Sequence, residues 1–296
     1  MSRQKRDISG WVILDKPYGM TSTQAVGKIR WLYGAAKAGH AGTLDPLATG
    51  ILPIALGEAT KTVAIVQGGG KRYRFDLTWG AATSTDDAEG PVIATSEVRP
   101  SEAEVLAALP RFTGTILQRP PAYSAIKVDG ERAYDLARAG EVVELAERPV
   151  TIDELMLLSH SAERSSFEMA CEKGTYVRSL ARDLAEALGT RGHVTALRRT
   201  AVGGFSEKNA VTIDAVESSG NRDALLMPIE IPLRALPELP MSADDAVLLR
   251  NGGAVLLRGA AAPIALSQAW ASCYGRAVAM GEVRAGQFHP SRVLKA

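Results

Sequence analysis

The stretch GHAGTLDPLATG, residues 39–50, sets one carboxylate, Asp45, among glycines and a proline, with His40 five residues upstream. Gly39, Gly42 and Gly50 permit a tight backbone, and the apolar run ILPIALG behind them supplies a stiff support. An acid held that way suits a nucleophile or a general base. Asp45 followed by Pro46 equally fits a helix N-cap with proline at the first helical position, a purely structural role. Two other segments carry side chains of interest. Tyr73 lies in KRYRFDLTWG, residues 71–80, and Tyr176 and Arg178 lie in KGTYVRSLARDLAEALG, residues 173–189. A cation in the first turn of a helix opposes the helix dipole, so Arg178 would be better satisfied by a carboxylate such as Asp45. Taken singly, His40 also reads as a solvated loop histidine and Tyr73 as a core residue.

Those residues need elements to hold them. Tyr73, Phe75, Leu77 and Trp79 alternate with Arg72, Arg74, Asp76 and Thr78, which predicts a half-buried strand with Tyr73 on its apolar side. Phe167, Met169 and Cys171 alternate in the same way. After the Lys173-Gly174 turn, Val177, Leu180, Ala181, Leu184 and Leu188 recur at helical spacing, with Thr175 as the expected N-cap and Gly189 just past the end. Strand and helix signals interleave throughout, so a mixed α+β architecture is expected. The segment LLMPIEIPLRALPELPMS, residues 225–242, holds four prolines and reads as a linker, placing a domain boundary near 237. Beyond it, AVLLR, AVLLRG and GRAVAMGEV read as short strands of a small β-barrel-like module.

Composition sets the outer limits. The 296 residues are 46% hydrophobic, enough for an ordinary core. No 18-residue apolar run occurs, and MSRQKRDISGWVILDKP has too short an apolar stretch for a secretory signal, so a cytoplasmic protein without a membrane contact is expected. Cys171 and Cys273 form no CxxC pair and the four histidines are scattered, which argues against zinc and against a disulfide framework. Net charge is +1, but residues 1–80 carry 11 Lys and Arg against 5 Asp and Glu, and residues 81–170 carry 8 against 16. Residues 171–208 and 241–296 are again basic. A basic face built from these parts could meet a polyanion, with the acidic middle turned away.

Five blocks, ILDKPYGMTS (13–22), GHAGTLDPLATGILPIALGEATK (39–61), KRYRFDLTWG (71–80), PPAYSAIKVDGERAYDLARAG (120–140) and KGTYVRSLARDLAEALG (173–189), closely resemble the TruB type of tRNA pseudouridine synthase. They keep that family's order, and the likeness runs from about residue 9 to 235. AVAMGEVRAGQFHPSRVL (277–294) resembles the family's PUA-like RNA-binding module. The resemblance implies a mainly antiparallel catalytic domain over 1–237, with an RNA-gripping insertion at 120–145, and a small PUA module over 238–296. It implies conversion of uridine-55 in the T-arm loop of tRNA to pseudouridine, by a monomer needing no cofactor, metal, guide RNA or obligate protein partner. Carried over residue by residue, Asp45 is the essential aspartate, which either adds at C1′ or takes the 2′ proton. Arg178 is its partner. His40 fills the stack vacated by the flipped nucleotide, and Tyr73 is the aromatic on which the base lies, with a phenol that could assist removal of the C5 proton. Tyr176 and Leu197 wall the pocket, Lys127 and Arg132 grip phosphate, and Lys16 and Pro17 support the loop. The rival readings are a guide-RNA-dependent relative, an RNA chaperone without chemistry, and a glycosidase, which needs two acids where the motifs match one.

Overall fold

The computed structural model describes residues 5–124, 126–128, 130–138 and 145–295, with the backbone alone at 127, 128, 132, 135, 137 and 138. Strands β1 (Gly10–Lys16), β2 (Ala38–His40), β3 (Thr49–Leu56) and β4 (Lys71–Trp79) come first, followed by the small hairpin of β5 (Ala81–Thr83) and β6 (Val92–Thr95). Next are β7 (Gly114–Gln118), the hairpin of β8 (Lys127–Val128) and β9 (Glu131–Arg132), then β10 (Arg148–His160), β11 (Arg164–Cys171), β12 (Gly192–Val202) and β13 (Phe205–Ser206). The main sheet runs β1-β3-β12-β4-β11-β10-β7, with β2 paired to β3 and β13 to β12.

Burial explains the strand patterns. β4 alternates as expected, with Tyr73, Phe75, Leu77 and Trp79 buried. β1 and β3 are apolar on both faces because both are covered. Leu14, Leu52, Ile54 and Phe75 join one core, and Trp11, Ile13, Ile51 and Phe205 join another across the sheet. The helix Ser22–Tyr33 closes the first core and is framed by a capping box of Thr21 with Gln24 and a left-handed Gly34. The helix Val177–Ala187 packs on β12 and β4, burying Leu180, Ala181 and Leu184 in the same core.

Several expectations change. The main sheet is not wholly antiparallel, because β12 runs parallel to β3, with Arg198 and Arg199 facing Thr49 and Gly50. No helix follows Asp45-Pro46, since the chain bends and enters β3 at Thr49. The N-cap of the Val177–Ala187 helix is Tyr176 and not Thr175, whose hydroxyl donates back to the Glu172 carbonyl within the turn. Part of the acidic middle lies beside the basic strand β4. β11 and β10 lie next to β4, so Arg72 pairs with Glu154 and Arg74 with Glu168 across the strands.

The proline-rich segment is packed rather than loose. Met227 bridges to Trp11, Glu230–Leu233 forms a helical turn, and Leu233 is fully buried. A second sheet then begins, built from β14 (Glu238–Pro240), β15 (Val255–Leu256), β16 (Leu266–Cys273), β17 (Arg276–Arg284) and β18 (Gln287–Val293), in the order β14-β16-β17-β18-β15. AVLLR is not a strand. It lies in the helix Ala243–Arg250, started by a capping box of Ser242 with Asp245. The second sheet docks on the first part of the chain through Trp270, Met280 and Leu294, which meet Ile65, Ile229 and Leu233. Lys61 donates to the Val293 carbonyl at 2.8 Å, and the Lys295 amide donates to Glu58 at 2.7 Å.

Candidate active site

The loop from Gly39 to Gly50 is tied down from beneath. Ser22 exchanges two hydrogen bonds with Leu44, its hydroxyl donating to the carbonyl at 3.0 Å and accepting from the amide at 2.9 Å. Lys16, fully buried at the end of β1, donates to the carbonyls of Pro17, Met20 and Pro46. Burial brings its ammonium down to about 8, although the charges of Asp45 and Glu89 pull the other way. Arg199, also buried, donates to the carbonyls of Gly42, Thr43 and Ile51. The parallel pairing of β12 with β3 makes this possible. At Gly50 the backbone is left-handed (φ +95°), and a Cβ would lie 2.2 Å from the Arg199 carbonyl, so glycine is required at that seam.

On this support Asp45 Oδ2 meets Arg178 Nη2 at 3.0 Å. The Asp45 side chain stays 34% exposed while that of Arg178 is 5% exposed. The carboxylate therefore faces outward, backed by a buried guanidinium. Arg178 stands in the first turn of its helix, where the dipole disfavours it, and it is compensated on several sides. Besides Asp45 it donates to the carbonyls of Thr85 and Tyr123 at 3.0 and 2.9 Å, and its Nε lies 3.6 Å from Asp87 Oδ2. Three loops thus converge on one guanidinium.

Asp87 was not legible as a site residue from spacing or resemblance. It is almost wholly buried and accepts from the Thr85 hydroxyl at 2.6 Å and the Glu89 amide at 3.0 Å. Its signal in the sequence is the pair Asp86-Asp87 in STDDAEG, between a strand and a Gly-Pro turn. Neighbouring Asp86 pairs with Arg182 at 2.9 Å.

The other expected residues gather around this centre to different degrees. Tyr73, buried on β4 opposite Arg199 and Met169, is held as a neutral phenol: burial pushes its pKa up, the Arg199 charge opposes the shift, and the Asp45 charge adds to it. His40 ends β2 with Nδ1 buried and, among the described residues, without a hydrogen-bond partner; burial and the Arg199 charge lower its pKa and favour the uncharged ring. Leu197 is buried on β12 opposite Phe75, and a groove of about 500 Å³ opens there, bordered by Tyr18, Leu47, Thr49 and Arg198. Tyr176 precedes Arg178 in the chain, but its ring lies 5.3 Å from the Arg148 guanidinium. Its backbone is clamped by Gln118, which accepts from the Tyr176 amide and donates to its carbonyl. The side chains of Lys127 and Arg132 lie outside the described residues; their backbones form the β8–β9 hairpin.

The description "TruB family pseudouridylate synthase (N terminal domain)" matches residues 30–177, and "tRNA pseudouridylate synthase B C-terminal domain" matches residues 178–234. The chain belongs to the TruB family. A TruB relative from Bradyrhizobium diazoefficiens, a tRNA pseudouridine synthase B, is 54% identical over 99% of this chain and 87% of its own length. One from Mesorhizobium japonicum, of the same name, is 49% identical over 99% and 98%. Among solved structures, a chain of a Cbf5-Nop10-Gar1 complex aligns with a TM-score of 0.74 at 26% identity, over 97% of this chain and 84% of that one. As a TruB pseudouridine synthase the protein is an isomerase with the TruB fold and mixed α and β content.

Proposed function

We propose that this chain converts uridine-55 in the T-arm loop of tRNA to pseudouridine, with Asp45 as the essential acid. The observation that carries the reading is the Asp45–Arg178 pair, in which a partly exposed carboxylate is fixed by a buried, three-loop guanidinium. The relatives' name, tRNA pseudouridine synthase B, supports the substrate class.

The reaction breaks N1–C1′, turns the detached uracil, joins C5 to C1′ and releases the C5 proton. Uridine stacked in a folded loop is out of reach, so the nucleotide is flipped out at a cost of a few kcal/mol. The uncharged ring of His40 suits the vacated stack, and Tyr73 supplies a platform worth roughly 1–3 kcal/mol for the extruded base. Asp45 then acts at the ribose, by addition at C1′ or by taking the 2′ proton, while Arg178 keeps it aimed. A neutral Tyr73 phenol suits donation to a uracil oxygen, where negative charge collects as N1–C1′ breaks. Leu197 and Tyr176 wall the pocket. Within this reading, residues 1–237 form the catalytic domain, 120–145 an insertion that grips RNA through Lys127 and Arg132, and 238–296 a PUA-like RNA-binding module. The separate sheet and core of that last segment support the division. The protein works as a monomer in the cytoplasm, without a guide RNA or an obligate protein partner.

Purified chain incubated with an unmodified tRNA transcript, with no guide RNA or added protein, should place pseudouridine at position 55 and nowhere else in that tRNA. Asp45→Asn should form none while holding tRNA within roughly tenfold of the wild-type affinity, because phosphate contacts dominate binding. Modification at another position, or turnover by Asp45→Asn, would overturn the reading.

A further inference from the structure

One buried cation beside the site has no part in the chemistry described so far. Arg199 is 1% exposed, and among the described residues its guanidinium takes part in no ion pair; its hydrogen bonds go to backbone carbonyls. Burying a guanidinium without a carboxylate is costly, and an apolar side chain would serve the sheet better if packing were the sole demand. The cation is therefore kept for its donors and its charge.

Its donors span the loop of the catalytic acid. Nε reaches the Ile51 carbonyl at 2.8 Å, Nη2 that of Gly42 at 3.0 Å and Nη1 that of Thr43 at 3.3 Å, so one fork holds the chain on both sides of Asp45. Across the strands its partner is Tyr73 on β4. The same side chain thus joins the loop of the acid to the platform for the base. Burial pushes the Tyr73 phenol up, the Arg199 charge and its side-chain contact with the hydroxyl pull it back, and Cys171 of β11 and Asp45 add to burial. The other groups whose pKa this charge lowers are His40 of β2, Lys16 of β1 and Lys71 of β4. None of these is an acid, and Asp45 is engaged by Arg178. The charge stays available to Tyr73.

We propose that Arg199 is a positioning residue for the isomerisation, whose unpaired guanidinium holds the Tyr73 oxygen in place and steadies it as a phenolate, an inference that rests on the pseudouridine synthase reading above. Tyr73 gives its proton to a uracil oxygen as N1–C1′ breaks, which leaves a phenolate beside the guanidinium. The detached base turns, and the C5–C6 π pair forms the bond to C1′. The C5–H bond then breaks, its electron pair restores the C5–C6 double bond, and the proton passes to the phenolate. The proton first given to the uracil oxygen moves to N1 as the base returns to its ordinary tautomer. Tyr73 ends as it began, and no oxidant, reductant or cofactor enters the balance. A buried phenolate without a cation beside it would be costly, and Arg199 supplies that cation in a fixed place.

The test is a double-mutant cycle read by single-turnover pseudouridine formation on an unmodified tRNA transcript. Wild type is run first, and its failure to form product would remove the underlying reading rather than the role of Arg199 alone. Arg199→Met should be about 100-fold slower than wild type, and Arg199→Lys, which keeps a cation but not the fork, about tenfold slower. Both should hold tRNA within about twofold of the wild-type affinity. In a Tyr73→Phe background no phenolate forms, so Arg199→Met should cost only about a further threefold there. A residue that merely braced the loop would slow that background by the same 100-fold. If Arg199→Met does not fold, Arg199→Lys carries the cycle, and its tenfold loss should shrink to about twofold in the Tyr73→Phe background. Additive losses in the cycle, equal slowing by Arg199→Lys and Arg199→Met, or an Arg199→Met enzyme at wild-type speed would overturn the assignment.

Discussion

Arg178 touches two carboxylates of opposite character: Asp45 opens to solvent, whereas the side chain of Asp87 is 2% exposed. Removing one partner of a buried charge pair leaves the other uncompensated, so a buried second acid steadies the guanidinium when substrate draws on the first. Nearby, Tyr73 combines two separable functions in one side chain. Tyr73→Phe keeps the ring, so tRNA affinity should stay within about twofold, but loss of the hydroxyl should slow rearrangement of uridine and 5-fluorouridine substrates alike, by roughly 100-fold. Tyr73→Leu should in addition weaken tRNA binding by about tenfold through lost stacking. Single-turnover rates and binding isotherms on both substrates check this, and a Phe variant at wild-type speed would leave Tyr73 as a platform only.

Lys16 shows at the scale of an element what the loop demands of its support. Its depressed pKa of about 8 means that the folded protein holds this proton less tightly than the unfolded chain does. Between about pH 8 and its unfolded value near 10.5 the unfolded chain binds more protons, so stability contributed by this group rises with pH over that window and is flat below it. The rise is bounded at about 3 kcal/mol. Denaturation curves of wild type against Lys16→Met from pH 7 to 10.5 should diverge in that sense; parallel curves would mean that the ammonium is not penalised. The sequence carried much of this region openly. Period-two alternation exposed β4 and β11, and 3.6-residue spacing exposed the Val177–Ala187 helix, because one face of each is buried. It hid three things for physical reasons. Asp45-Pro46 has the letters of a helix start, yet Gly50 and the β-branched and apolar run after it commit the chain to β3. AVLLR suits a strand, but Ser242 and Asp245 cap a helix just before it. Asp87 lies 42 positions from Asp45, and only the tertiary fold brings both to one arginine.

Over the whole molecule the basic residues of the first two hundred positions are extensively spent on internal ion pairs, such as Arg72 with Glu154 and Arg198 with Asp15. In the C-terminal segment Arg276 and Arg284 are paired, whereas Arg250, Arg258 and Arg292 are exposed and take part in no ion pair among the described residues. If that sheet meets tRNA as proposed, Arg258→Glu and Arg292→Glu should each weaken binding equally across tRNA sequences and reduce the salt slope by about 1, leaving single-turnover chemistry at saturation unchanged. Unaltered affinity and slope in both variants would remove this surface from the RNA contact. The docking of the two sheets also has a consequence for biosynthesis. Ile65, Ile229 and Leu233 are covered by Trp270, Met280 and Leu294, and the last of these lies 61 residues beyond Leu233. At about 5–20 residues per second, that apolar patch waits some 3–12 s after its own residues are made before Leu294 is added. Nascent chains arrested in the final strand should therefore be far better clients for a chaperone than the released protein.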